Sequence, residues 1–99
     1  MEGWMVAFQL PPKVSAADRV RFNHEFWGRT TSSWGGKYQY RVAGLMREVP
    51  HRRLIRGLVL VRDQDRDRVV AFLQGWKAKF HVRRVQLERE DLGSLKESP

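Results

Sequence analysis

The chain has 99 residues, 19 of them Lys or Arg and 11 Asp or Glu, and it contains no cysteine. The length suits one domain with a modest core, and the lack of cysteine excludes disulfides, thiolate nucleophiles and Cys-based metal sites. With 41% hydrophobic residues the chain is too apolar to be disordered, yet no apolar run is long enough to span a bilayer. We therefore expect a cytoplasmic domain with no membrane partner and no cofactor, carrying a net charge of +8.

The first predicted element is a β-strand. Large apolar side chains occupy every second position at its start, namely Trp4, Val6, Phe8 and Leu10. Such alternation places them on one face of a strand. Pro11 and Pro12 then end the strand, because proline has no N–H to donate to a neighbouring strand.

A helix is predicted next, from Ala16 to about Arg29. Ser15 is a suitable N-cap, and Asp18 adds negative charge where the helix dipole favours it. Gly28 lies where the helix is expected to stop. The residues expected on its inward face are Ala17, Val20, Phe26 and Trp27.

The middle of the chain predicts a loop, a strand, a turn and a further strand. Residues 30–36 are small, polar and glycine-rich, which is typical of a loop. A strand is expected from Lys37 toward Met46, followed by a turn around Pro50. The segment from Leu54 to Val61 is apolar on both faces, which indicates a central strand.

A second long helix and a last strand follow. Three aspartates crowd the start of this helix, where carboxylates complement its dipole. Because Asp63, Asp65 and Asp67 alternate with arginines, we interpret them as ion-pair residues and not as a metal site. The last strand is expected from about His81 to Leu87, and residues 88–99 predict a polar tail that frays.

The predicted order is β-α-β-β-α-β, which resembles the ferredoxin-like split βαβ fold. That resemblance implies an α+β domain spanning residues 1–99, with its core at about residues 4–87. Right-handed crossovers would give a four-stranded antiparallel sheet with two helices on one face.

Two known families share this topology. The RNA-recognition motif begins its third-strand signature with a basic residue and glycine, as Arg56-Gly57 does, but Leu58 and Leu60 stand where it has stacking aromatics. The CRISPR-associated spacer-acquisition nucleases have an Asp near the end of the first strand, where this chain has Gln9-Leu10. A nuclease would lose a metal ligand there, so membership of neither family is assigned.

The net charge is concentrated in one segment. Ten basic and two acidic residues lie between Arg19 and Arg62, whereas the rest of the chain holds nine of each. A one-sided basic surface is typical of proteins with phosphate-rich partners, and an exposed tryptophan stacks on bases. The residues predicted to bind nucleic acid are Arg29, Trp34, Lys37, Arg41, Arg47, His51, Arg52, Arg53 and Arg56.

These observations leave three functions open. The first is non-catalytic binding of RNA or DNA, alone or within a ribonucleoprotein. The second is a homodimeric regulatory module that docks an acidic protein and joins its copies through a sheet edge or an apolar sheet face. That face would hold Met5, Ala7, Leu54, Leu58 and Leu60.

The third open function is a nuclease-like enzyme. The three histidines of the chain, His24, His51 and His81, show no ligand or catalytic spacing. We therefore expect neither a catalytic constellation nor a metal site.

Overall fold

The computed structural model describes residues 1–33 and 38–95, and for residues 30–33 and 38–40 it describes the backbone alone. The chain falls into two compact units, one made of residues 1–13 with the chain from residue 49 onward, the other of residues 14–48. The elements in chain order are β1 (Glu2–Gln9), α1 (Ala16–Trp27), β2 (Gly28–Ser33), β3 (Tyr38–Ala43), α2 (Leu45–Glu48), β4 (His51–Ile55), β5 (Leu58–Val61), α3 (Arg66–Gly75), β6 (Lys79–Gln86) and α4 (Arg89–Ser94).

The first unit contains a four-stranded antiparallel sheet in the order β4-β5-β1-β6. Its centre is apolar because Val6 of β1 lies between Val59 of β5 and Val82 of β6. Val6 and Val59 are fully buried. The α+β class and the four-stranded antiparallel sheet of the prediction are therefore confirmed.

One face of this sheet carries α3. Val69 and Leu73 of α3 are fully buried. At the start of the helix the guanidinium of Arg66 lies 4.4 Å from the ring centroid of Trp4 in β1. Alternation along β1 puts Val6 and Phe8 on this same face, so the predicted apolar row of the first strand is the row that meets α3.

The opposite face is partly covered by α4. Leu92 and Leu95 form a buried cluster with Leu60 and Leu87, against which Met5 and Val85 pack. The prediction that residues 88–99 form a fraying polar tail is wrong for residues 89–95, because two leucines in a polar sequence suffice to anchor a short helix. We call the sheet face that bears Met5 and Leu60 the α4 face.

The strands between α1 and α3 differ from the prediction. Residues 30–33 of the predicted loop at residues 30–36 belong to β2, which pairs with β3 in a separate two-stranded sheet. Residues 51–53, predicted as part of a turn, belong to β4 at the edge of the main sheet. The prediction failed because local composition does not report which neighbouring strand a polar segment pairs with, or where that pairing begins.

The predicted central strand from Leu54 to Val61 is broken in two. β4 and β5 form a hairpin with Ile55 opposite Leu58, so Arg56 and Gly57 make the turn. Gly57 has φ +79°, a left-handed conformation that glycine adopts without strain. A short glycine-containing turn of this kind is typical of tight hairpins.

In the second unit, α1 begins as predicted. The Ser15 hydroxyl accepts a hydrogen bond from the Asp18 N–H at 3.1 Å, and Gly28 follows the last helical residue. The buried side chains of α1 are Phe22 and Phe26, whose rings stack with centroids 5.5 Å apart. Val20, predicted to face inward, is 51% exposed.

The ferredoxin-like arrangement predicts both long helices on one face of one sheet, but α1 belongs to the second compact unit. The β2–β3 sheet also has no counterpart in that arrangement. No helix within residues 1–33 and 38–95 combines the length and apolar character needed to cross a membrane.

Candidate nucleic-acid interface

The β2–β3 sheet, here called the ribbon, is the most basic regular element of the second unit. Its six residue pairs run from Gly28 opposite Ala43 to Ser33 opposite Tyr38, and neither strand contains an acidic residue. Arg29 lies opposite Val42 and Arg41 opposite Thr30. Because opposed residues share a face and successive residues alternate, the two arginines belong to opposite faces of the ribbon.

The base of the ribbon is pressed closely against the end of α1. A Cβ atom added to Gly44, just after β3, would stand 2.7 Å from the Phe26 carbonyl oxygen, and one added to Gly28 would stand 2.7 Å from the Val42 oxygen. Neither separation leaves room for a side chain. The two glycines therefore allow the ribbon to start directly at the helix end, next to the stacked phenylalanines.

An open cleft of about 390 Å³ lies at this base. Its lining residues are Trp27, Gly28, Arg29, Arg41, Val42, Ala43 and Arg47. The three arginines are exposed. Within the described part of the chain, none of their side chains has a hydrogen-bond or ion-pair partner. The cleft therefore combines positive charge with free donor groups.

Arg52, also predicted to bind phosphate, already has carboxylate partners. Its Nη1 atom donates to the Asp91 Oδ1 atom at 2.7 Å, and its Nη2 atom lies 3.7 Å from Glu90 Oε2. The Arg52 side chain is 33% exposed and that of Asp91 11%. This arginine fastens α4 to the edge strand β4, so its charge is largely neutralised inside the fold.

The remaining predicted residues are dispersed. The His51 Nδ1 atom lies 2.8 Å from the Val49 carbonyl oxygen. Arg53 is exposed but has an interaction partner, and Arg56 is exposed at the β4–β5 turn. Trp34 and Lys37 lie outside the described residues.

The predicted site is thus divided between the two units. Arg29, Arg41 and Arg47 belong to the second unit and share the cleft. The residues from His51 to Arg56 belong to the first. Trp27 was not predicted as a site residue. Its position two residues before Arg29 could have indicated that it lies near the basic site. The sequence analysis instead predicted that Trp27 faces inward from the helix.

The aspartates at the start of α3 each have a partner. Asp65 accepts from Arg62 Nε at 2.8 Å, and Asp67 accepts from Arg66 Nη1 at 2.8 Å, which confirms the ion-pair interpretation for both. Asp63 accepts from the Trp4 indole N–H at 2.6 Å. Among residues 1–33 and 38–95, no three His, Asp or Glu side chains are grouped so as to hold a metal ion.

The apolar face on which the homodimer hypothesis rested is only partly open. Leu60 is 5% exposed and Met5 packs against its cluster, because α4 covers them. Ala7 and Leu58 are half-buried, and Leu54 is 42% exposed. The C-terminal helix therefore covers much of the surface that a second copy was expected to cover.

No protein-family model, no curated protein and no solved structure matches the chain. The functional argument rests on the geometry and charge of the described residues.

Proposed function

We propose that the chain is a small, non-catalytic nucleic-acid-binding protein that contacts the phosphate backbone with the arginines at the base of the ribbon. The observation that supports this most is the cleft lined by Arg29, Arg41 and Arg47, whose guanidinium groups have no carboxylate partner among the described residues. Guanidinium groups bind phosphate oxygens in a bidentate geometry. Phosphate would supply the charge that the fold leaves unmatched there.

Arginines in the first unit support the proposal by contrast. Arg62 pairs with Asp65, Arg66 with Asp67 and Arg84 with Glu2. Arg56 and Arg83 of the same unit are exposed without a carboxylate partner among the described residues, but they lie on different elements. In the second unit, three unmatched arginines line one cleft.

The shape of the ribbon also suits nucleic acid. A two-stranded antiparallel ribbon fits the major groove of B-form DNA, and arginines on both of its faces would meet phosphates on either side of such a groove. The same cations would bind a single strand through its backbone. RNA and DNA are therefore both ligands of this proposal.

The experiment is a fluorescence-anisotropy titration with labelled single- and double-stranded RNA and DNA at several salt concentrations. Binding is expected to weaken steeply as salt rises, because each neutralised phosphate releases counterions. For duplex DNA, the triple substitution Arg29→Ala, Arg41→Ala and Arg47→Ala should lower the log–log salt slope by up to about 2.7, at roughly 0.9 per phosphate contact.

The matched control is the triple lysine variant at the same positions. It keeps the charge but lacks the guanidinium fork, so its salt slope should stay near that of the wild type while its affinity falls modestly. Full affinity of the alanine variant for all four nucleic acids would refute the proposal. Equal binding of polyglutamate would favour an acidic protein as the partner.

For the fold we propose a ferredoxin-like sheet with an insertion. In chain order, β1, β4, β5 and β6 would be the four strands of the split βαβ arrangement, with the ribbon and α2 inserted between α1 and β4. The observed neighbours β4-β5-β1-β6 support this. An experimental structure that keeps β4, β5, β1 and β6 in this order in one sheet is the expected result.

A further inference from the structure

The α4 face of the main sheet has a second half that α4 does not bury. Near one end of the strands, Met5 and Leu60 lie in the buried α4 cluster. Toward the other end, Ala7 of β1 stands between Leu58 of β5 and His81 of β6. Ala7 and Leu58 are half-buried and His81 is exposed.

Three cationic or titratable side chains stand in a row on this face. Alternation along β6 puts Lys79, His81 and Arg83 on the side of the sheet that bears Ala7 and Met5. All three are exposed. Among the described residues none of them has a carboxylate partner, and the Arg83 Nη1 atom donates to the Val82 carbonyl oxygen at 3.3 Å.

The acidic groups on this side are engaged elsewhere. Asp91 and Glu90 of α4 contact Arg52 on the far edge strand β4. The Glu88 side chain caps the N-terminus of α4. The row on β6 therefore faces the solvent with its positive charge largely unopposed.

A concavity adjoins the row. It has a volume of about 260 Å³ and is lined by Ala7, Phe8, Gln9, Gly57, Lys79 and His81. Three of its lining residues, Gln9, Lys79 and His81, have side chains that can donate hydrogen bonds. This combination of donors suits a phosphate group.

Charged side chains can also protect an edge strand such as β6 from pairing with another chain. That role does not require the charges to lie on one face of the sheet. The alternate positions of β6 are Phe80, Val82 and Arg84 on the α3 side, where Arg84 is bound to Glu2 at 2.9 Å and lies over the Trp4 ring. The unmatched cations of β6 thus all lie on the α4 face, beside the concavity.

We propose that this half of the α4 face, defined by Lys79, His81 and Arg83, is a second nucleic-acid surface that takes a single strand. Successive same-face residues are about 6.7 Å apart along a strand, close to the spacing of phosphates in an extended polynucleotide. One phosphate enters the concavity beside Lys79. The neighbouring bases pack on the aliphatic side chains of Ala7 and Leu58, and the contacts to phosphate carry no sequence preference.

The test uses the full chain and labelled oligo-dT and oligo-U of twelve nucleotides. The variant Lys79→Gln with Arg83→Gln should weaken single-strand binding about tenfold at low salt and lower the salt slope by about 1.4, at roughly 0.7 per phosphate of a single strand. A control with the same charge loss, Lys13→Gln with Arg19→Gln, alters exposed residues outside both surfaces and should leave the slope within about 0.3 of wild type. Equal losses in the two double variants would overturn the proposal.

The wild-type protein provides a second readout that does not depend on a variant folding. Titration with oligo-dT should shift the NMR amide signals of residues 79–83 and the ring signals of His81. Saturation without shifts at those positions would overturn the proposal.

The ribbon site and the β6 surface can be refuted independently, because the two share no residue. If the β6 variant loses single-strand binding while the ribbon triple variant keeps full affinity for all four nucleic acids, the ribbon site is wrong and this surface stands. If the β6 variant binds a single strand as tightly as wild type, this surface is wrong, whatever the ribbon does.

Discussion

The ribbon and the C-terminal helix show how differently one fold treats its arginines. The sequence predicts a loop over residues 30–36 of the ribbon and a polar tail over the residues of α4, and both regions contain arginines next to regular elements. At α4, Arg52 meets Asp91 at 2.7 Å and helps fasten the helix to β4. At the ribbon, Arg29 and Arg41 lie on strands without a single carboxylate. A cluster of basic residues in sequence is therefore a binding surface only where the fold supplies no acid.

The largest effect is expected at the apolar anchor of α4. Leu95 is fully buried against Leu60 and Leu92, so Leu95→Ala should lower the free energy of unfolding by about 2–5 kcal/mol through lost burial and a cavity. Urea denaturation measures this, with Leu54→Ala, at a 42% exposed position, as the control. A loss below about 0.5 kcal/mol for Leu95→Ala would mean that α4 is not anchored as described.

Adding a single methyl group at the base of the ribbon should destabilise the protein. Gly44→Ala would place a Cβ 2.7 Å from the Phe26 carbonyl oxygen, which should lower the free energy of unfolding by about 1–3 kcal/mol. Gly75→Ala is the control, since nothing lies within 4 Å of its added Cβ. Because Gly75 is a helical residue, Gly75→Ala should raise the free energy of unfolding by about 0.5–1 kcal/mol. Equal thermal midpoints for the two variants would contradict the close packing of the ribbon.

The ion pair of Arg52 should show coupling in a double-mutant cycle. Asp91→Ala leaves the half-buried guanidinium without its nearest carboxylate, at a cost of about 1–2 kcal/mol, less than for a fully buried pair because Arg52 is one-third exposed. Once Arg52→Ala is present, Asp91→Ala should cost clearly less. Strict additivity of the two substitutions would show that the contact contributes nothing.

The smallest effect separates the two regions by function. Arg41→Ala should lower the salt slope of duplex DNA binding by about 0.9 while leaving thermal stability near wild type. Arg52→Ala should lower thermal stability and leave the salt slope near wild type, because the charge of Arg52 is neutralised by Asp91 and Glu90. Anisotropy titrations and thermal melts on the same two variants give the comparison. If the salt slope of duplex DNA binding falls equally in both variants, Arg52 also contacts the nucleic acid.

Where local pattern sufficed, the sequence predicted structure well. The alternation from Trp4 to Leu10 gave β1, and the cap at Ser15 and the stop at Gly28 gave α1. The aspartates at the start of α3 were correctly interpreted as ion-pair residues, as the contacts of Asp65 and Asp67 with arginines show. Each of these depends on residues a few positions apart, whose geometry the backbone itself imposes.

Strand pairing escaped the same reasoning, even between strands that are neighbours in sequence. Nothing local distinguishes the pairing of β3 with β2 from pairing with the main sheet, and Gly57 breaks an apolar run that looks continuous in sequence. Of the candidate site, the cleft at Arg29, Arg41 and Arg47 draws on predicted residues. The row at Lys79, His81 and Arg83 was missed, because counting charge over segments hides alternation within one strand.

By itself, the sequence determined the charge of the protein, its α+β class and the elements set by local periodicity and capping. The tertiary structure decided which charges remain unmatched. The physical reason is that composition counts charges, whereas a cation is neutralised by whichever acid the fold brings within a few ångströms. Asp91 lies 39 positions from Arg52 along the chain, and only the packing of Leu92 and Leu95 onto the sheet brings the two together.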